Sequence, residues 1–219
     1  MTTTNNTTNA VTPSNDFAKI ALERRSIKSY DPEVKISREE MNDILTETTR
    51  APSSINLQPW RFVVVQSEEA KAQLLPLAKF NAHQVETAAA VVAIFADLQH
   101  EENAEYIFNK AVELGYMPAE VKERQLPFAL GYYEQLSREA RKEIALIDSG
   151  LVAMQLMMVA RAHGYDTNPI GGYDKEQVAE MYGMDKERYV PVMLVSMGKA
   201  ANEGYPSMRL PLDMIAEFK

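Results

Sequence analysis

The sequence predicts an α+β fold of three layers, with a central sheet between two layers of helices. The main observation is three continuous apolar runs rich in β-branched residues, typical of strands buried on both faces: residues 61–66, 89–96 and 190–197. Pro191 fits only near the start of its strand or at a sheet edge, because proline cannot donate to the ladder. Helical patterns lie between the runs, and we find no internal repeat. Residues 16–219 are therefore predicted to form one domain.

Apolar spacing and capping residues predict the helices. The first covers residues 16–24, with Ser14 or Asn15 as its cap, and the second begins at the capping box of Ser37 and Glu40 and ends near Arg50. Later helical patterns cover residues 68–75, 78–85, 144–162 and 175–182, and Gly164 and Gly183 close the last two.

Three stretches lie outside this core. Residues 1–15 are almost all Thr and Asn and are predicted to be a flexible leader, without the features of a signal peptide. Residues 100–142 form a polar helical excursion, a lid or pocket wall, in which glycines and prolines are expected to separate short helices: Gly115, Pro118, Pro127 and Gly131. Residues 198–219 are predicted to be an extended C-terminal tail, called the tail below.

Composition excludes several classes of protein. The 219 residues contain no cysteine, so disulfides, thiol catalysis and cysteine-ligated metals are excluded. The net charge of −8 is the wrong sign for a nucleic-acid or anionic-membrane partner. The apolar residues 144–162 are interrupted by Asp148, Gln155 and Arg161, which favours a buried helix over a membrane span. A cytoplasmic protein is expected.

The common catalytic motifs are absent from the sequence. It contains no dinucleotide-binding glycine motif, P-loop, Gly-x-Ser-x-Gly or His-Glu-x-x-His. Only one histidine, His100, has acidic neighbours, Glu101 and Glu102, and a solvated helix start explains them better than a metal site. Ser149 has no neighbouring base. We predict no metal site and name no catalytic residue.

Two segments combine residues that suit ligand contacts. In the cation segment, residues 24–30, three cations within five residues follow a helix; they either complement the helix dipole or bind a phosphate or an anionic ring edge. In the amide loop, residues 51–60, two hydroxyls and two amides precede a buried strand. This loop is either a turn or a site for a heteroaromatic ring whose C=O and N–H groups pair with Asn56 and Gln58.

Two more segments are weaker by themselves. In the glycine segment, residues 168–173, Gly171 and Gly172 either form a turn or let the backbone lie against a flat ligand. In the tail, Arg209 is either an ordinary surface arginine or a cation that closes on a ligand.

In this order and spacing, the segments resemble the FMN-dependent nitroreductase family. The resemblance covers nearly the whole chain beyond the leader, and the amide loop is its most specific part. Its motifs are Arg24-Arg25-Ser26-x-Lys28, Pro52-Ser53-Ser54-x-Asn56-x-Gln58-Pro59-Trp60, Pro169-Ile170-Gly171-Gly172 and Ser207-x-Arg209.

The resemblance implies an intertwined homodimer of α+β subunits, each with a central mixed sheet, that binds FMN at the interface through both chains. It implies that the phosphate and pyrimidine edge of FMN are surrounded by Arg24, Arg25, Ser26 and Lys28. It places around the ring and ribityl chain Pro52, Ser53, Ser54, Asn56 and Gln58. Facing the ring and its N5 are Pro169, Ile170, Gly171 and Gly172, while Ser207 and Arg209 close on the phosphate. The family often has arginine where Lys28 stands, so the charge is kept and the bidentate geometry is lost.

The implied activity is a two-step electron transfer. NADH or NADPH passes a hydride to FMN, leaves, and is replaced by an electron-poor small molecule such as a nitroaromatic or a quinone. Two alternatives stay open: a dedicated flavin-dependent reductase or dehalogenase, and a flavin-binding sensor without turnover. The helical excursion matches the family only in being helical, so the acceptor is not implied.

Overall fold

Within residues 13–219, four strands form one antiparallel sheet in the order β1-β2-β4-β3. The structure, a computed structural model, describes residues 13–219. The strands are β1 Trp60–Val65, β2 Ala90–Asp97, β3 Asp166–Ile170 and β4 Tyr189–Gly198. The helices are α1 Phe17–Glu23, α2 Arg38–Thr48, α3 Glu68–Leu74, α4 Ala82–Thr87, α5 Ala104–Glu113, α6 Ala119–Glu134, α7 Arg138–Ala162 and α8 Lys175–Met181.

The central strand β2 is buried along its whole length and separates two hydrophobic cores. Side chains alternate across a strand, so Val91, Ala93 and Phe95 face the core that contains residues of α3, α4 and α8. The intervening residues Val92 and Ile94 face the core that contains residues of α2 and α7. The predicted three-layer α+β fold is confirmed.

The sheet differs from the prediction at its edges. The strand β3 was not predicted, because it contains Pro169 and has no apolar run. As an edge strand it pairs only with β4 among the named strands, which leaves room for a residue that cannot donate. The strand β1 lies at the other edge and is only half-buried, although its sequence predicted burial on both faces.

The expected mixed sheet is wrong for these four strands, which all pair antiparallel. The one parallel pairing within residues 13–219 is an isolated bridge between Ser26 and Thr167, outside the four strands. Pro191 is the third residue of β4, and the register with β2 shifts beside it, between Ile94 and Phe95. The proline is therefore tolerated next to an irregularity in the ladder.

The helix caps agree with the sequence at most positions. Ser37 Oγ accepts a hydrogen bond from the backbone N–H of Glu40 at 3.0 Å, as the capping box predicts. The first helix is capped by Asp16, and not by Ser14 or Asn15. The predicted helix at residues 78–85 is replaced by a 3₁₀ turn, Lys79–Asn81, and then α4, because Lys79 has a positive φ of 53°.

The excursion is made of fewer and longer helices than the sequence predicts. Gly115, at φ +71°, and Pro118, the cap of α6, do separate α5 from α6. However, α6 continues through Pro127 and Gly131. Its buried residues Ala129 and Tyr133 pack into a separate cluster around α5, and this packing outweighs the local helix-breaking tendency.

The helix α7 is long and apolar enough by composition to cross a membrane, and half of its most apolar window is buried inside the fold. Its residues Ala153, Leu156 and Ala160 are almost completely buried beneath the sheet. The expectation that it is a core helix agrees with this packing.

The two ends of the chain contact the core differently. Most of the predicted leader lies outside the described residues; within its described part, residues 13–15, Ser14 donates its N–H to the carbonyl of Ala162 at 2.9 Å. The tail starts at the last residue of β4, forms an isolated bridge between Ala200 and Tyr30, and has one short 3₁₀ turn, Leu212–Met214. The rest of it has no regular secondary structure. Many of its large apolar side chains are exposed, including Tyr205, Met208 and Phe218.

Candidate functional site

The cation segment and the glycine segment are neighbours. The bridge between Ser26 and Thr167, and a hydrogen bond from the N–H of Ile27 to the carbonyl of Thr167 at 3.1 Å, attach the cation segment to β3. Pro169 and Ile170 are the last residues of the same strand. The sequence alone did not place these two segments side by side.

The tail returns to the cation segment. The N–H of Asp31 donates to the carbonyl of Lys199, and the N–H of Ala201 donates to that of Ser29, at 2.9 and 3.0 Å. Farther along the tail, Gly204 has a φ of +68°, and a Cβ there would lie 2.8 Å from Cδ1 of Ile27. The positive φ favours glycine at this position, and a larger residue would also have to displace the terminal methyl group of Ile27.

Positive charge collects around Arg24, which is half-buried. Burial, and next the charges of Arg161 and Arg209, lower the pKa of the Arg24 guanidinium, while Asp166 opposes them. Its Nη1 atom is buried and has no hydrogen-bond partner among residues 13–219. A buried, charged donor without a partner is costly, and an anion would satisfy it.

The other cations of this region are more open. Arg209 Nη1 donates to Ser207 Oγ at 2.7 Å, so the two predicted tail residues are already paired. Ser26 and Lys28 are exposed. Arg25 lines a cavity of about 250 Å³ that also contains acidic side chains, Glu23, Asp166 and Glu203. Because Arg25 shares its cavity with these acidic side chains, Arg24 suits a phosphate better than Arg25 does.

The amide loop lies in front of β1 and has an unusual backbone. Ile55, Asn56 and Gln58 have φ values of 51°, 57° and 52°, in the left-handed region. The hydroxyl of Ser53 accepts from the N–H of Gln58 at 3.1 Å, and Gln58 Nε2 donates to the carbonyl of Asn56, also at 3.1 Å. The amide of Asn56 is exposed, whereas one donor of Gln58 is already used within the loop. Pro52 is exposed and Ser54 is half-buried.

The glycine segment has no conformational reason for its glycines. Neither Gly171 nor Gly172 has a positive φ, so the turn interpretation does not explain them. A Cβ at Gly171 would meet nothing within 4 Å, and one at Gly172 would make only ordinary contact with Asn81 Nδ2 at 3.5 Å. The described chain therefore leaves open space here, at the place where the resemblance puts a flat ring.

Sequence reasoning missed Asn81. Its Nδ2 donates to the carbonyl of Gly172 at 2.8 Å and so fixes the glycine segment. Its Oδ1 accepts from Gln84, whose Oε1 in turn accepts from the buried Asn168. Asn81 is 91 residues away from Gly172, and no local pattern indicates that the two meet.

The amide loop and the other segments lie at opposite edges of the sheet. The loop leads into β1, whereas the cation and glycine segments adjoin β3, three strand spacings away, or roughly 14 Å. The register places Trp60 level with Val190 and Thr167, beside the cation segment, level with Met197, a further offset of roughly 23 Å along the strands. Ile170, which leads into the glycine segment, lies level with Leu194, so its offset is roughly 13 Å. One chain does not bring all predicted residues around a single ring.

Comparison with known proteins gives the same family as the motifs. The Nitroreductase family model matches residues 21–199. The chain belongs to the nitroreductase family. It is 62% identical over 205 residues to YdgI of Bacillus subtilis, whose name assigns it to the NAD(P)H nitroreductases; the match covers 94% of this chain and 98% of that protein.

The names of two further relatives give a cofactor for one of them and a substrate class for the other. A crystal structure of an Exiguobacterium sibiricum nitroreductase in complex with FMN superposes with a TM-score of 0.94, at 59% identity, over 95% of this chain and 100% of that one. The CLA biosynthesis enone reductase of Lactiplantibacillus plantarum is 42% identical to this chain, and the match covers 93% of this chain and 94% of that enzyme.

The residues of this nitroreductase fit FMN. Arg24 offers an unsatisfied buried donor and, with Arg209, excess positive charge for a phosphate. Gly171 and Gly172 leave space for a ring beside a fixed backbone. Among residues 13–219, no group of three or more His, Asp and Glu side chains is placed to hold a metal ion.

Proposed function

We propose that this nitroreductase is a homodimeric, FMN-dependent oxidoreductase that takes electrons from NADH or NADPH and passes them to an electron-poor small molecule. The NAD(P)H-dependent oxidoreductase class follows from its family and relatives. Nitroaromatics, quinones and enones are the acceptor classes that we propose, and the cytoplasm is the proposed location. The observation that carries the cofactor proposal is the buried, unpartnered Nη1 of Arg24 beside the charge of Arg209.

The phosphate end of FMN would be held by Arg24, Arg209 and Ser207. Charge-assisted hydrogen bonds from the guanidinium groups neutralise a terminal phosphate and satisfy the orphaned donor. Ser26 and Lys28, exposed on the neighbouring segment, complete the polar surface. The sequence has no Gly-rich turn for a pyrophosphate, so FMN is proposed in preference to FAD.

The ring end would lie between the glycine segment of one subunit and the amide loop of its partner. This arrangement is supported by the separation of the two regions within one chain, at opposite edges of the sheet. It is also supported by exposed apolar side chains that a second copy would cover, such as Ile147 and Leu151 on α7 and Met208 and Phe218 in the tail.

The chemistry needs little from the protein beyond position and charge. Bound FMN supplies the two-electron carrier that accepts a hydride from reduced nicotinamide and later gives two electrons to the acceptor. The chain's cations stabilise negative charge at the polar edge of the ring system. The backbone at Gly172, held by Asn81, keeps one face of the site flat and open. No side chain is required to act as an acid, base or nucleophile.

An experiment with mixed dimers tests both the cofactor and the shared site. Arg24→Ala impairs the cation segment and Asn56→Gly impairs the amide loop, so each variant alone is expected to bind FMN more weakly than the wild type. In a dimer that contains one copy of each, purified by two different tags, one site carries both changes and the other carries neither. A recovered high-affinity site, seen as FMN fluorescence quenching, supports the proposal. Recovery of no tight site would show that each site lies within one chain.

The acceptor is tested separately. The relative that reduces an enone by name favours an activated C=C bond as one substrate class. The excursion presents exposed aromatic rings, Tyr106, Phe128 and Tyr132, that suit an apolar or aromatic acceptor. Turnover of NADH and NADPH with a nitroaromatic, a quinone and an enone ranks the three classes. FMN that is bound but never reduced by either nicotinamide would favour the sensor alternative.

A further inference from the structure

The backbone of the amide loop has a conformation that needs support from the rest of the fold. Three of its residues that are not glycine have a positive φ, and one of them, Ile55, at φ 51° and ψ 21°, is β-branched, for which this conformation is a clear outlier. Conformations of this kind persist only where the surrounding structure enforces them, and they are concentrated at ligand sites. In the amide loop, two buried carboxylates make contacts at the two ends of the strained segment.

The first carboxylate holds the entry of the loop. Asp148 Oδ2 accepts a hydrogen bond from the backbone N–H of Ser54 at 2.9 Å. Asp148 lies in the core helix α7, is only 4% exposed, and has the buried apolar residues Ala145 and Val152 on adjacent turns of the helix. A buried acid in such surroundings is unfavourable unless its bonds repay the cost. Its pKa is raised by burial, and the N–H of Ser54 opposes that rise.

The second carboxylate holds the exit of the loop. Asp97, at the end of β2, is completely buried and binds Arg61 Nη2 at 2.8 Å through Oδ2. The same guanidinium donates through Nη1 to the carbonyls of Trp60 at 2.8 Å and Gln58 at 3.4 Å. The N–H of Asp97 also donates to the carbonyl of Pro59 at 2.6 Å. The last residues of the loop are thus tied to the centre of the sheet.

Asp97 is also held by a second arginine, Arg188. Arg188 binds it through two nitrogens, Nε to Oδ1 at 2.8 Å and Nη2 to Oδ2 at 2.9 Å. This bidentate pair raises the pKa of Arg188 above its usual value. Arg61 can therefore be replaced without leaving a buried carboxylate unpaired.

We propose that Asp148 and Asp97, the latter through Arg61, are positioning residues that hold the amide loop in its strained form before FMN arrives. The inference rests on the proposed function, in which this loop contacts the flavin. Neither carboxylate touches the cofactor. Both act by removing alternative loop conformations, so that binding does not have to order the loop.

The entry end is tested by Asp148→Ala, with Asp148→Asn as the conservative variant, in the full-length dimer. The alanine loses the acceptor for Ser54, and the FMN dissociation constant is expected to rise roughly tenfold or more, the scale of a hydrogen bond to a charged group. The asparagine keeps an acceptor oxygen in the same place, so it is expected to recover most of the affinity. Hydrogen exchange at residues 54–58 of the FMN-free protein should be faster in the alanine variant than in the asparagine variant.

The matched control is Leu156→Ala. Leu156 is completely buried in the same helix but belongs to the core under the sheet, so this change lowers the melting temperature without touching the loop. It is expected to keep the wild-type dissociation constant and loop exchange. Arg61→Met tests the exit in the same way and is expected to weaken FMN binding and loosen residues 58–60.

The outcomes separate the inference from the proposed function. Wild-type affinity and exchange in Asp148→Ala would overturn the inference, as would an equal loss of affinity in Leu156→Ala at the same loss of melting temperature. A wild-type protein that binds no FMN would instead refute the proposed function. The exchange comparison needs no cofactor, so it would still decide whether the carboxylates hold the loop. If Asp148→Ala does not fold, Arg61→Met provides the same comparison.

Discussion

The amide loop and the cation segment are the two halves of the candidate site, and they are built in opposite ways. The loop is held at its two ends by buried carboxylates, Asp148 directly and Asp97 through Arg61, and keeps a strained backbone. The cation segment is held by backbone bonds and by the buried side chains of Ile27 and Tyr30, while the side chain of Arg24 keeps a donor unpaired. One half is preorganised by the chain; the other is completed by its ligand. Changes to the groups that hold the loop should affect affinity and stability together, whereas changes to the cations of the cation segment should affect affinity alone.

The largest effect is expected at the proposed interface between two subunits. Ile147, Leu151 and Met154 form an exposed apolar stripe on α7, and Ile147 is 67% exposed in the single chain. Ile147→Asp should convert the dimer to a folded monomer that binds FMN at least a hundredfold more weakly, a loss of about 3 kcal/mol or more. Sedimentation velocity and flavin absorbance measure both effects. Leu114→Asp, another exposed apolar site, is the control, and a monomer that retains FMN would contradict the comparison.

The next effect is expected in the cation segment. Arg24→Ala should cost about 2 kcal/mol of FMN affinity, because it removes a charged donor to the phosphate. The melting temperature of the FMN-free protein should stay the same or rise, since burial and the charges of Arg161 and Arg209 already disfavour this guanidinium. Arg25→Ala is the matched neighbour and should lose less affinity. An FMN-free Arg24→Ala protein that melts much earlier would show that Arg24 is structural.

A smaller effect is expected for Asn56 in the loop. Because its φ is 57°, Asn56→Leu would add backbone strain to the loss of the amide. Asn56→Gly removes the amide in a residue that adopts this backbone freely, so its cost, about 1 kcal/mol, isolates the lost hydrogen bond to the flavin. Isothermal titration with FMN and stopped-flow reduction by NADPH measure it. If both substitutions leave affinity and reduction unchanged, Asn56 is only a turn residue.

The smallest effect is a pH dependence under the loop. His100 is completely buried, and burial lowers its pKa, although the carbonyl of Asp97 and the nearby acids Glu101, Asp97 and Asp148 oppose that shift. The unfolded chain takes up a proton near pH 6.5, which the folded chain does not, so the stability from neutral His100 is present above about pH 6.5 and lost as pH falls toward the folded pKa. Melting temperatures from pH 8 to pH 5 should therefore fall more steeply in the wild type than in His100→Gln. Parallel curves would contradict this.

The sequence predicted the parts of the fold that depend on local pattern. β1, β2 and β4 were found to within one residue at each end because continuous apolar runs have few other uses. β3 was missed because an edge strand needs neither an apolar run nor a full set of donors, and so carries Pro169. α6 continues through Pro127 and Gly131 because contacts made by Ala129 and Tyr133 decide its course.

For the site, the sequence predicted the segments but not what holds them. The cation and glycine segments do lie together, yet Asn81 and Asp148, which fix two of the four segments, were not predicted. Asn81 meets Gly172 across 91 residues and Asp148 meets Ser54 across 94, and contacts at such separations leave no periodic trace in the sequence. The opposite placement of the amide loop is likewise a property of strand order, which a single sequence does not state.

The strand order also links cofactor loading to protein supply. If each flavin needs one edge of the sheet from each of two chains, a newly made subunit has no complete site, and FMN cannot serve as the template on which it folds. Loading then depends on two chains meeting, and at low expression it rises with the square of subunit concentration. Dilution would release flavin and subunits together, so the amount of active enzyme in a cell would respond to its synthesis more steeply than in proportion.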